Sequence, residues 1–130
     1  CKMDYGYQRN VDIPFDDVES SIREELQEKG FGILTEISVD ETLKEKLDQD
    51  FRRYKILGAC HPPTAFEALS SELEIGLLLP CNVTIWENED GTVTISAINA
   101  EKMLGFTQRD DLEHLSVQVN DWLKAAVDAV

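Results

Sequence analysis

Two short stretches hold the residues best suited to chemistry: Cys60-His61, directly before Pro62-Pro63, and Pro80-Cys81-Asn82. Pro62 and Pro63 can open a helix, because neither has to donate a hydrogen bond in its first turn. A thiol just ahead of such a start meets unsatisfied backbone N–H groups and the positive end of the helix dipole, and both favour the thiolate. A protonated His61 would add positive charge beside it, making Cys60 more nucleophilic at neutral pH than a free thiol. Cys81 heads a later β-rich run; if the two segments lie side by side, its sulfur could meet that of Cys60 in a disulfide. With Lys55 upstream on the first stretch and Asn82 on the second, the candidate thiol or ligand site is Cys60, His61, Cys81, Asn82 and Lys55.

Three readings of these residues stay open. Cysteine is among the most often buried residue types and both flanks are apolar, so two structural thiols are the plain one. A redox or enzymatic role would use Cys60 as attacking thiolate, Cys81 as resolving partner and His61 as tuner. Ligand or metal capture is the third. For zinc, Cys60, His61 and Cys81 offer three ligands without the close Cys-x-x-Cys or His-x-x-x-His spacing of structural centres, whereas copper(I) needs fewer and softer ligands. No metal site is assigned, no cofactor is implied, and the catalytic residues are unknown, since no base and orienting partner recur near the cysteines. His114 reads as a helix surface residue, and Arg52, Arg53 and Lys55 as cations paired with the chain's own carboxylates. There is no Gly-rich phosphate loop, serine nucleophile elbow or His-Glu-x-x-His helix. Asn82-Val83-Thr84 fits the glycosylation pattern, but at the entrance of a strand it reads as coincidence.

The chain that must position these residues has 130 residues and a mass of 14.7 kDa, which predicts a single domain over 1–130 with one core. Asp and Glu number 26 against 12 Lys and Arg, a formal charge of -14, so the chain repels polyanions and nucleic acid is excluded as a general partner. Its longest apolar run, Ile75 to Pro80, is far short of a membrane span. The lack of a basic-then-apolar leader predicts a cytoplasmic protein, with export or a lipid anchor on Cys1 as the minor alternative. Three cysteines are too few for a disulfide scaffold.

The apolar pattern predicts nine elements. A strand over Tyr5 to Ile13 stops at Pro14, and a helix capped by Asp16 follows, with Val18, Ile22 and Leu26 facing inward. Phe31 to Val39 reads as a second strand, and Asp40 as the cap of a short helix with Leu43 and Leu47 inside. Tyr54 to Ala59 is a third strand; Phe66, Leu69 and Leu73 give the following helix its apolar side until Gly76. Cys81 to Glu87 and Thr92 to Ile98 flank Asn88-Glu89-Asp90-Gly91 as a hairpin, with Val83, Ile85, Val93, Ile95 and Ala97 on one face and Thr84, Trp86, Thr92 and Thr94 on the other. Leu112, Leu115, Val119, Trp122 and Ala126 predict a final helix. The class is α+β in the order β-α-β-α-β-α-β-β-α, a mixed or largely antiparallel sheet with helices mainly on one face. A tryptophan and several threonines on the other face suit a dimer contact.

The segments Tyr54-Lys55-Ile56-Leu57-Gly58-Ala59-Cys60-His61-Pro62 and Leu78-Leu79-Pro80-Cys81-Asn82-Val83 resemble the DUF302 family, also called TT1751-like, whose members are small domains of unknown function. The likeness runs from about Val11 to Met103 and includes Pro14-Phe15-Asp16, Gly30-Phe31-Gly32 and the hairpin. It implies a TBP-like α+β fold, a homodimer, and two cysteines at fixed places, and it supplies no substrate. The family often has Asn where His61 stands, and an acidic residue or Asn followed by Pro where Asn99-Ala100 stands. Two function classes follow. The favoured one is a small-ligand-binding or interaction module with a crevice near the two cysteines; the alternative is a thiol-dependent redox or enzymatic protein using Cys60 and Cys81.

Overall fold

The computed structural model describes residues 5–130; Cys1, and with it the lipid-anchor alternative, lies outside the described residues. The elements are β1 (Gly6–Val11), α1 (Phe15–Glu28), β2 (Gly32–Ser38), α2 (Val39–Leu47), β3 (Tyr54–Cys60), α3 (Pro62–Ser71), β4 (Cys81–Glu87), β5 (Val93–Ile98), α4 (Ala100–Gly105) and α5 (Glu113–Asp128). Short 3-10 segments cover Leu73–Leu78 and Asp110–Leu112. The fold is α+β: the five strands form one sheet in the order β1-β5-β4-β3-β2, and every neighbouring pair is antiparallel. The predicted order holds, with α4 added between β5 and the last helix.

The period of two along each strand divides the sheet into a buried and an open face. Leu57 and Ala59 on β3 lie opposite Val83 and Cys81 on β4, and Val83 and Ile85 lie opposite Ala97 and Ile95 on β5. All of these are buried. Against them pack α1, through Val18, Ile22 and Leu26, and α5, through Leu115, Val119, Leu123 and Ala126. Each large side chain taken fully out of water here stabilises the fold by roughly 1.5–3 kcal/mol before its entropy cost.

The opposite face carries Tyr54 and Ile56 from β3, Thr84 and Trp86 from β4, Thr94 and Ser96 from β5, and Gln8 and Asn10 from β1. Tyr54 and Trp86 face each other across the strands with rings 5.5 Å apart and nearly parallel. From Gln8 on β1 to Ile37 on β2, no residue of this face is Asp, Glu, Lys or Arg.

Several local expectations need correction. Asp16 does not cap α1; Pro14 stands at the N-cap, and the Asp16 carboxylate accepts a hydrogen bond from Arg53 at 2.9 Å, whose guanidinium also lies over the Phe15 ring. Asp40 does not cap α2 either. Ser38 stands there, and Asp40 Oδ1 accepts from the backbone N–H of Tyr54 at 3.1 Å, tying α2 to β3. Leu47, expected inside, is exposed. The largest difference is in α3, where Phe66 and Leu73 are exposed and Ala68 is the buried residue. The helix stops at Ser71, because Glu72 turns extended and starts the 3-10 segment. Among the described residues, no helix is long and apolar enough to cross a membrane.

Candidate functional site

β3 runs out at Cys60, His61 stands at the N-cap of α3 in extended conformation, and the chain returns through the 3-10 segment to Leu79-Pro80 and the first residue of β4, Cys81. Because Ala59 pairs with Cys81 in the β3–β4 register, this return brings the two sequence stretches to one end of the sheet. Between that end and the helices lies a cavity of about 280 Å³. The sheet end supplies Ala59, Cys60, Pro80 and Cys81; α3 supplies Thr64, Ala65, Ala68 and Leu69. The far wall is Ala100, Met103 and Leu104 of α4 with Val119 of α5, and Phe31 and Leu34 close the side nearest β2. Leu34 sits where the β2–β3 register slips, and it is 66% exposed while lining the cavity, so it stands at the opening.

His61 is in the wall and does other work than expected. Its ring lies 4.4 Å from that of Trp122 and 5.4 Å from that of Phe31, centroid to centroid, and its Nδ1 is 2.9 Å from Thr64 Oγ1. It makes no side-chain bond to the start of α3. Desolvation holds its pKa below the ordinary value, so at neutral pH the imidazole is uncharged and brings no positive charge to Cys60. Gly30 makes room for the ring: its backbone is left-handed, and a Cβ there would stand 3.1 Å from His61 Nε2.

Both cysteines are free thiols. Burial pushes the pKa of Cys81 up to about 11, the sulfur of Cys60 adding to the effect, so Cys81 is protonated at neutral pH. Among the described residues, no three His, Cys, Asp or Glu side chains are gathered as a metal ion would need, so the trio Cys60, His61 and Cys81 is not assembled as a ligand set.

The other two candidates are elsewhere. Lys55 is the second residue of the strand that Cys60 ends, about 17 Å away at the usual strand rise. Its ammonium lies between Glu19 at 2.9 Å and Glu36 at 3.2 Å, and Arg23 bonds both carboxylates. Burial works against the Lys55 charge, but the two carboxylates outweigh it and its pKa is raised. Asn82 follows Cys81 and therefore points to the open face, where it is exposed beside Thr84 and Trp86.

The wall contributed by α4 was not anticipated. Asn99 caps this helix, its Oδ1 accepting from the backbone N–H groups of Glu101 at 3.0 Å and Lys102 at 3.3 Å. Buried Asn120 of α5 secures the same turn: its Oδ1 accepts from Ala100 N–H at 2.6 Å and its amide donates to Asn99 Oδ1 at 2.9 Å. An Asn followed two residues later by Glu is a helix-start signal, and it could have revealed α4.

The family model described as "Domain of unknown function DUF302" matches residues 7–130. Among solved structures, the chain is similar to the crystal structure of an uncharacterized conserved protein DUF302 from Bacillus stearothermophilus, with 27% sequence identity, a TM-score of 0.90 and 98% of each chain covered. No curated protein matches it. With the family model spanning nearly all of the sequence and a relative superposing over the whole fold, the chain belongs to the DUF302 family, domains of unknown function.

Proposed function

We propose that this domain is a small-ligand-binding module whose ligand sits in the cavity beside Cys60 and Cys81. The observation that carries the reading is the space itself: about 280 Å³ already open at the junction of sheet, α3 and α4, within reach of solvent past Leu34. A preformed, mainly apolar hollow that opens to solvent is the usual form of a small-molecule site. The thiol-dependent alternative, with Cys60 as attacking thiolate and Cys81 as resolving partner, draws less support, since it asked for a cationic His61 beside Cys60 and burial opposes that charge.

The test is a thermal-shift screen of chemically varied small molecules against the wild type and Ala68→Leu, which narrows the cavity. Compounds that raise the melting temperature of the wild type and not of the variant are expected. A screen in which every stabilising compound acts equally on both proteins would sink the proposal.

The reading includes a second copy of the chain on the open sheet face. Two chains of charge -14 repel each other over most of their surfaces, and this face, free of Asp, Glu, Lys and Arg and carrying Ile37, Ile56, Tyr54 and Trp86, is where repulsion is least. Sedimentation velocity at micromolar concentration should give a dimer that Trp86→Lys dissociates; a monomeric wild type removes this part of the proposal.

A further inference from the structure

The chemistry of the cavity wall narrows what can occupy it. None of the lining residues is Asp, Glu, Lys or Arg. The polar groups that do line it are few and largely engaged: His61 Nδ1 and Thr64 Oγ1 satisfy each other, and the thiols of Cys60 and Cys81 are weak donors and acceptors. An ionised ligand would lose its hydration here and find no countercharge. Size gives the second limit. A cavity of about 150 Å³ accommodates benzene, and this one has about 280 Å³, room for a molecule of fused-bicycle size. The third observation lies outside the wall. The elements that line the cavity, and Phe106 directly after α4, carry exposed apolar side chains: Phe66, Leu73, Leu77 and Phe106 are between 75% and 86% exposed. The outer surfaces of these elements are therefore apolar in part, as the cavity wall is.

We infer that the cavity takes an uncharged, mainly apolar molecule of about the size of a fused bicyclic aromatic, and rejects anionic molecules of the same shape. The inference rests on the proposed ligand-binding role and goes beyond it in naming the class. The two thiols then serve as soft, polarizable surface for the ligand.

The experiment compares two probes of similar shape, 1-methylnaphthalene and 1-naphthoate, by following backbone amide resonances of the full chain. 1-Methylnaphthalene should shift the amides of Cys60, Ala68 and Leu104 to saturation, and 1-naphthoate should bind at least about 100-fold more weakly. Ala68→Leu, or Ala65→Leu should the first variant fail to fold, should weaken 1-methylnaphthalene at least about tenfold by taking up part of the same space. If 1-naphthoate binds as well as its neutral counterpart, the class is wrong while the ligand-binding role stands. Silence from both probes also overturns the class, and the broader screen then decides the role. Undiminished binding to a folded variant with the narrowed cavity would place the ligand elsewhere and overturn the inference.

Discussion

Replacing Ala68 by leucine should make the protein more stable, an unusual direction for a change at a buried position. Ala68 is buried, lines the cavity, and projects from the middle of α3. Leucine adds three carbons, and at roughly 0.8 kcal/mol for each buried methylene the gain is about 2.4 kcal/mol. Against this stand about 0.5–1 kcal/mol for fixing the leucine rotamer and a few tenths for helix propensity. The net expectation is about 1–1.5 kcal/mol. The added group is smaller than benzene, which fits a cavity about half as large, so the cavity has the volume to take it. Urea unfolding followed by circular dichroism measures it: the midpoint should rise with the slope unchanged. A loss of more than about 1 kcal/mol would mean overpacking, and would refute the premise that the space beside Cys60 and Cys81 is open in solution.

Because Cys81 ionises only near pH 11 when folded and an unfolded thiol ionises near 8.5, its contribution to stability is full below about pH 8.5 and is lost as pH rises toward 11, by up to about 3 kcal/mol; Cys81→Ala should flatten that part of the stability profile. The folded pKa of His61 is depressed, so its contribution is present above about pH 6.5 and lost as pH falls through the folded value; denaturant titrations should show His61→Phe losing this acid-side slope, and the His61 ring resonances should titrate with a midpoint under the ordinary value. Gly58→Ala should cost about 1–3 kcal/mol in urea unfolding, since the new methyl would overlap the Thr35 hydroxyl and come within 2.8 Å of Pro80 Cγ on the open face. Lys55→Met should destabilise by a similar amount, leaving Glu19 and Glu36 to share Arg23 alone, while probe affinity at the cavity stays within about twofold; a large loss of affinity would return Lys55 to the site.

What the sequence made legible follows from how strongly each pattern constrains geometry. The hairpin was readable because strict alternation from Val83 to Ile85 and from Val93 to Ala97 admits one face assignment, and the register keeps it. Helix α3 was misread because an i, i+3, i+7 spacing of Phe66, Leu69 and Leu73 shows that an apolar stripe exists and says nothing of whether protein or water lies over it. The core side is drawn instead by Ala68, whose small size leaves the cavity unfilled. Asp16 and Asp40 looked like caps because they precede apolar runs, yet each has a distant partner, Arg53 or the Tyr54 backbone, that no local window contains. For the site, adjacency in sequence misled in one direction: Asn82 is next to Cys81 and, by the period of two, on the opposite side of the sheet. Met103, Leu104 and Val119 were out of reach because a wall assembled from three separate helices and the end of a sheet leaves no spacing to read.

One physical cause acts on Cys81 and His61 at this end of the molecule, and it bears on the two function classes. The wall around Cys60 and Cys81 is hydrocarbon, and removal from water penalises whichever form of a group carries charge. For Cys81 that raises the pKa and preserves the thiol; for His61 it lowers the pKa and preserves the neutral imidazole. A Cys60 thiolate paired with an imidazolium needs the His61 shift to run the other way, and Cys81 acting as a resolving thiolate needs the same of its own. The -14 charge of the chain does not relieve this, because the charged groups nearest β3 are committed elsewhere: Lys55 and Arg23 to Glu19 and Glu36, Arg53 to Asp16. The environment that makes thiol chemistry at Cys81 slow is therefore the one that makes the cavity attractive to a neutral, apolar guest. A measured Cys81 reactivity toward iodoacetamide at pH 7.5 as fast as that of a free thiol would mean that the wall is open to water, and would weaken the ligand reading and strengthen the redox one together.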